Sequence, residues 1–367
     1  SSGVWAGGGA GGAGAAPGGR PAPPARGPTP PPPRPSPDRD GDICRRRALD
    51  SIGTATLVSL MSQAPRLSGR RPVFSTAQGS KLGPFGLVEW ALLSGVALIW
   101  GSSFLLIEIG LESLEPPTIT WVRVTLGFLV LTVVPAARRP VDRADYPRVV
   151  LLGFMWVVVP FSIFPIAQQH IDSALAGMLN ATVPIFSTSF AIVLMRSLPR
   201  FRQAAGIALG FAGAVSIGLP AARDSSAAAW GVFLVILATL FYGIALNLAV
   251  PLQQRYGAPA VMMRAIGVAA VATAPFGLAG LADSQWSTGA VLAVVALGVI
   301  NTGAAFVIMT AFVGRVGATR GGVAVYFIPI VAMALGMAFR SEVILPLQWA
   351  GTAVVLFGAW LTSRREY

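Results

Sequence analysis

From residue 87 onward, long apolar stretches alternate with short polar breaks. Stretches over 87–107, 118–136, 148–167, 173–195, 202–220, 229–250, 260–281, 289–313, 318–339 and 345–363 each approach the ~20 residues that cross a ~30 Å hydrocarbon core. This pattern predicts an all-α polytopic membrane protein with ten transmembrane helices. Short breaks between them imply that helices adjacent in sequence pack together.

The pattern occurs twice. A shift of 145 positions, without a gap, lays Gly153 on Gly298, Phe161 on Phe306, Gly177 on Gly322, Pro184-Ile185 on Pro329-Ile330 and Gln203 on Gln348. It continues through Gly206 on Gly351 and Gly213-Ala214 on Gly358-Ala359, and a shift of 141 lays Ala97 on Ala238 and Arg123 on Arg264. Each copy, 88–220 and 229–363, holds five apolar segments. An odd number of crossings turns the second copy upside down, so the ten helices form two inverted five-helix repeats.

Composition agrees with a membrane protein and redirects the reading of charge. The 367 residues are 54% hydrophobic and only 11% charged, with mean hydropathy +0.68, whereas soluble domains are about one quarter charged. The net charge of +12 is therefore read as topology, not as nucleic-acid binding. With the N-terminus inside, the cytoplasmic loops hold Arg138, Arg139, Arg143, Arg148, Arg196, Arg200, Arg202, Arg255, Arg315, Arg320, Arg364 and Arg365. The opposite loops hold only Arg223 and Arg340, with Glu112, Glu115, Asp224, Asp283 and Glu342. This positive-inside bias puts both termini in the cytoplasm and the chain in the cell membrane.

Residues 1–80 read differently. Gly, Ala, Pro and Arg dominate up to about Arg47, including the run Pro30-Pro31-Pro32-Pro33, and such a segment is expected to be disordered with polyproline character. A passive tail, an SH3-type ligand and a tether to anionic lipid are all compatible with it. The first methionine is Met61, so translation starting there would leave residues 1–60 outside the native protein.

Several kinds of chemistry lack sequence support. One cysteine, Cys44, and one histidine, His170, offer no disulfide and no cysteine or histidine metal site. No phosphate loop, H-E-x-x-H or G-x-S-x-G motif occurs, so ATP-driven transport and common hydrolysis are not indicated. No cofactor and no enzymatic activity are expected.

Candidate residues are the polar and aromatic ones inside apolar segments, which should face the bundle interior. Trp156 in the third helix is equivalent to Asn301 in the eighth, and Asn180-Ala181 in the fourth to Val325-Tyr326 in the ninth. Trp100, Trp156, Asn180, Asn301 and Tyr326 are thus candidates to line a site near mid-membrane; the alternative is that the amides tie helices and the rings fill space. Pro184 and Pro329, in equivalent helices, predict kinks that either gate access or bend the bundle permanently. Arg123 and Arg264 read as snorkelling anchors, or, for Arg123, as a contact for a substrate carboxylate with Glu108 as its partner or as a protonatable coupling residue. Gly206, Gly210, Gly213, Gly351 and Gly358 predict close helix packing, within the chain or in a homodimer.

The stretch Ala97-Leu98-Ile99-Trp100-Gly101-Ser102-Ser103-Phe104, with Ile109-Gly110-Leu111-Glu112 and Trp121-Val122-Arg123, resembles the opening of an EamA domain of the drug/metabolite transporter superfamily. Each half also closes like that domain, in Pro184-Ile185-Phe186 with Gln203-Ala204-Ala205-Gly206 and in Pro329-Ile330-Val331 with Gln348-Trp349-Ala350-Gly351. Two positions depart: Glu108 stands where many relatives are basic, and the second copy has Phe241-Tyr242-Gly243 for Trp-Gly-Ser. The resemblance implies two tandem domains, a cavity lined mainly by the third, fourth, eighth and ninth helices, and export of amino acids, small metabolites or drugs, with protons as the expected coupling ion. A non-transporting scaffold or regulator that keeps the fold is the alternative.

Overall fold

The computed structural model describes residues 84–194, 196 and 198–363, so the expectations for residues 1–80 lie outside the described residues. All regular structure among them is helical and falls into ten transmembrane units. These are α1 (Leu87–Leu111), α2 (Pro116–Thr132), α3 (Tyr146–Gly153 and Val159–Ala167), α4 (Ser173–Asn180 and Val183–Leu194) and α5 (Phe201–Asp224). The second half comprises α6 (Ser226–Tyr256), α7 (Ala258–Gly280), α8 (Thr288–Gly298 and Ala305–Val316), α9 (Ala318–Gly321 and Ile328–Arg340) and α10 (Pro346–Ser363). Eight are long and apolar enough alone to cross a membrane. The other two are α2, with 17 residues, and α10, and both complete the pattern the repeat requires.

The helices are punctuated as their sequences dictate. Prolines open α2 and α7, where a missing N–H costs nothing. Ser225 and Ser287 side chains accept the Ala228 and Ala290 amides at 3.0 and 3.2 Å and so cap α6 and α8. Gly257 and Gly317 turn the chain at φ 85° and 86°, which side-chain-bearing residues resist. Arg196 and Ser341, equivalent under the 145-residue shift, both take positive φ, at 48° and 55°. The duplication thus extends to backbone conformation.

Large apolar side chains such as Leu129, Val271, Phe276, Leu292 and Phe339 point outward, while Ala238, Ala245, Ala260, Ala265 and Ala269 are fully buried. Lipid solvates the first group, and small residues let backbones approach in the interior. The expected glycine packing occurs between α5 and α10. A Cβ on Gly206 would lie 2.7 Å from the Gly358 carbonyl oxygen, and one on Gly213 2.7 Å from that of Gly351. Those glycine faces are occupied within the chain.

The breaks within helices are also duplicated. Single wide π turns interrupt α3 at Phe154–Val158 and α8 at Val299–Ala304, and these segments coincide under the 145-residue shift. Such turns leave backbone groups unpaired and concentrate at functional sites. Near Pro184 and Pro329 the expected kink is a full interruption. α4 stops at Asn180 and resumes at Val183, and α9 passes through a tight 3₁₀ segment, Gly322–Phe327, before resuming at Ile328. Each proline then occupies the first turn of the resumed helix, where its ring does not clash with a preceding carbonyl.

Replacing Gly213 by Val should lower the thermal midpoint of the purified protein by an overpacking cost of ~1–3 kcal/mol. Gly95→Ala, whose Cβ meets nothing within 4 Å, should not lower it; equal midpoints for both variants would refute the α5–α10 packing.

Candidate functional site

Two turns into α2, Arg123 is 6% exposed. Its Nε donates to the Thr302 hydroxyl in the π turn of α8 at 3.0 Å, and its guanidinium lies 4.0 Å from the centroid of the Phe161 ring in α3. No other hydrogen bond, and no carboxylate within 4 Å, engages Arg123 among the described residues. The expectation of a snorkelling anchor is corrected: the guanidinium turns inward, because Phe161 and Thr302 supply a ring face and an acceptor there.

Phe161 joins this charge to an aromatic cluster drawn from both repeats. Phe306 of α8, the repeat partner of Phe161, is met edge-on by Trp100 of α1 at 5.9 Å and by Trp156 of α3 at 6.3 Å. Tyr242 of α6 stacks on Phe164 at 6.0 Å. Trp100, Trp156 and Tyr242 all pack on the cluster that contains Phe161 and Phe306. The Thr120 hydroxyl, one turn before Arg123, donates to the Phe161 carbonyl at 3.0 Å and lines an apolar groove of about 260 Å³ between α2, α3 and α7.

The structure separates the sequence candidates into groups. Trp100, Trp156, Asn301 and Arg123 come together: the Asn301 amide, also in the α8 π turn, donates to the Ile99 carbonyl and to Ser102 and Ser103 at 3.0 and 3.1 Å. Asn180 is buried at the interruption of α4, and its Oδ1 has no hydrogen-bond partner among the described residues. Tyr326 reaches away to the Ala359 carbonyl of α10 at 3.1 Å. Arg264 is held by the carbonyls of Ala137, Ala260 and Arg139 at 3.3, 2.8 and 2.9 Å and closes the α2–α3 connection onto α7. Glu108 does not partner Arg123, since Arg340 of α9 holds it at 3.0 Å.

That Glu108–Arg340 pair belongs to a cluster at one end of the bundle. Arg340 bridges Glu108 and Glu112 of α1, the latter at 2.6 Å. Two residues on, Glu342 accepts from the Ser173 hydroxyl and from the Ser173 and Ala174 amides at 2.5, 3.2 and 2.8 Å, capping α4. Gly336 makes room, because a Cβ there would lie 2.6 Å from a Glu342 oxygen. Burial, with Glu108 and Asp172 nearby, raises the Glu342 carboxyl above its ordinary range despite those hydrogen bonds. Burial and Glu108 likewise raise Asp172. The first repeat has no counterpart: Ala191, Met195 and Ser197 stand where the second has Gly336, Arg340 and Glu342. At the opposite end, Glu89 pairs with Arg315 at 2.9 Å, and Asp145 receives Arg255 and Tyr256 at 2.8 and 2.7 Å.

Sequence reasoning did not single out Thr302, Tyr242, Phe161, Phe306 or Glu342 as site residues. Signals for three of them were present. Phe161 and Phe306 coincide under the 145-residue shift, and Tyr242 replaces a glycine in the second copy's opening motif. Nothing in the sequence pairs Thr302 with Arg123 or Glu342 with Ser173, which lie 179 and 169 residues apart.

Known proteins share this architecture. A solved crystal structure, 19% identical, superposes with a TM-score of 0.50 over 74% of this chain and 95% of its own, which supports the fold alone. An uncharacterized transporter of Archaeoglobus fulgidus is 25% identical over 76% of this chain and 99% of its own length. A probable terminal-alkyne amino-acid exporter of Streptantibioticus cattleyicolor is 26% identical, covering 75% and 93%. The Escherichia coli inner membrane transporter YedA is 25% identical, covering 75% and 90%. The family model described as the EamA-like transporter family matches residues 89–219 and 229–364, one match for each repeat. With both halves matched and the ten-helix inverted repeat in place, the chain belongs to the EamA-like transporter family.

Proposed function

We propose that this membrane transporter is a secondary exporter of small organic molecules that works by alternating access about the chamber around Arg123. One observation carries the reading: a guanidinium buried against the Phe161 ring of an aromatic cluster drawn from both repeats, with no carboxylate within 4 Å among the described residues. Intramembrane charges are costly and cluster on substrate pathways, and inverted-repeat carriers bind at the repeat interface. The amino-acid exporter among the relatives supports export of small metabolites. The arginine-rich loops support cytoplasmic termini, and with that orientation the Glu108–Arg340–Glu342 cluster faces outward.

In this reading the two ends of the bundle alternate. The outer cluster ties α1, α4 and α9, and the inner Glu89–Arg315 and Asp145–Arg255 pairs tie α1 to α8 and α3 to α6. The interruptions of α4 and α9 before Pro184 and Pro329 let half-helices swing without breaking whole helices. Asn180, at the first interruption, keeps an unsatisfied oxygen for substrate or for the moving backbone.

Counterflow in proteoliposomes tests the function without knowledge of the driving force. Labelled metabolite should enter vesicles preloaded with the same unlabelled compound, and Asn180→Ala should reduce entry while the purified variant keeps its thermal midpoint. Absence of counterflow across amino acids and organic acids, from a folded protein, would refute the reading.

The outer latch has a signed pH dependence. A Glu342 pKa raised when latched, relative to the solvated carboxyl, means that protonation favours the latched form; its stability is gained as pH falls and lost as pH rises through the raised value. Hydrogen exchange at the Ser173 and Ala174 amides, corrected for intrinsic rates, should therefore be faster at pH 8 than at pH 5.5. Glu342→Gln should remove that difference.

A further inference from the structure

We infer that the chamber around Arg123 takes an organic anion, a carboxylate or similar planar oxyanion on an aromatic or branched apolar body, and discriminates against substrates that carry an ammonium group. The inference rests on the transport reading above and names its substrate class.

The guanidinium leaves one edge available. Nε is engaged by Thr302 and the face by Phe161, whereas the two terminal nitrogens make no hydrogen bond or ion pair among the described residues. Those nitrogens present parallel N–H bonds in the fork that matches two carboxylate oxygens. The repeat supplies an internal comparison. Arg264, at the equivalent position, directs its terminal nitrogens to three backbone carbonyls, so its donors are consumed by the fold. Only the α2 copy keeps its fork open.

The walls define the rest of the ligand. Trp100, Trp156, Phe306 and Tyr242 offer ring faces and edges suited to an aromatic or branched body. An ammonium group finds no matching acid there. Glu108 is held by Arg340, and Glu89 by Arg315, at opposite ends of α1. A cation brought beside Arg123 in a low-dielectric interior would be repelled by it without compensation.

The test uses three compounds with one ring: 3-phenylpropanoate, phenylalanine and phenethylamine. Full-length protein in proteoliposomes at pH 7.5 is preloaded with each in turn, and entry of its labelled form is followed. Binding is measured separately as the rise in thermal midpoint of purified protein with added compound. 3-Phenylpropanoate should exchange about tenfold faster than phenylalanine, a difference of ~1.4 kcal/mol, and phenethylamine should not exchange. Arg123→Gln should abolish exchange and the midpoint rise. Arg123→Lys, which keeps the buried charge but not the fork, should keep the fold and bind 3-phenylpropanoate more weakly. Phenylalanine exchanging as fast as 3-phenylpropanoate, or phenethylamine exchanging at all, overturns the anion inference and leaves the transport reading standing. A midpoint rise with 3-phenylpropanoate alone, absent in Arg123→Gln, without exchange, supports the anion site and defeats the transport reading. No exchange and no midpoint rise with any of the three overturns the inference, as does an unchanged response in Arg123→Lys.

Discussion

Nothing in a hydrocarbon layer can take the place of water around a charge, and the placement of the ionisable groups among the described residues reflects that constraint. Glu89, Glu108, Asp145, Arg255, Arg315 and Arg340 lie at helix ends and pair as Glu89–Arg315, Glu108–Arg340 and Asp145–Arg255. Arg264 lies near the start of α7 and is wrapped in carbonyls. Arg123 departs from this arrangement: it is buried and has no anion within 4 Å among the described residues. Its Thr302 and Phe161 contacts compensate part of the desolvation.

The duplication explains how the site could arise and why it is not symmetric. Phe161 and Phe306 retain the same ring at equivalent positions, and both π turns persist. On that shared frame the two copies diverged. Trp156 faces a ring where Asn301 ties α8 to α1, and Tyr242 replaces a glycine. The Glu108–Arg340–Glu342 cluster is another divergence, because only the second repeat carries Gly336, Arg340 and Glu342 together. A glycine is needed there so that a carboxylate can lie flat against α9 and cap α4. At one end of the bundle burial raises the Glu342 and Asp172 carboxyls, whereas ion pairs hold the other.

Helix number, order and approximate bounds were readable because lipid imposes a composition on every residue facing it, and the period of that composition is long. The repeat was readable because glycines and prolines at close contacts and interruptions tolerate few substitutes. Less was legible at the site. Trp100, Trp156, Asn301 and Arg123 were picked out as polar or aromatic residues in apolar surroundings, and they do converge. Tyr326 met the same criterion yet turns to α10, and Glu108 met it yet pairs with Arg340. The criterion identifies residues that need a partner without saying which partner.

The sequence by itself determined an inverted pair of five-helix repeats, a membrane setting and a short set of residues too polar for lipid. Those properties depend on local composition and on periodicity, which a linear chain carries in full. Only the tertiary structure decided which of two equivalent arginines keeps its donors free, that the prolines follow interruptions and do not kink continuous helices, and that Glu342 caps a helix 169 residues away. Each depends on contacts between distant segments, where a few ångströms decide whether a donor meets a carbonyl or a ring.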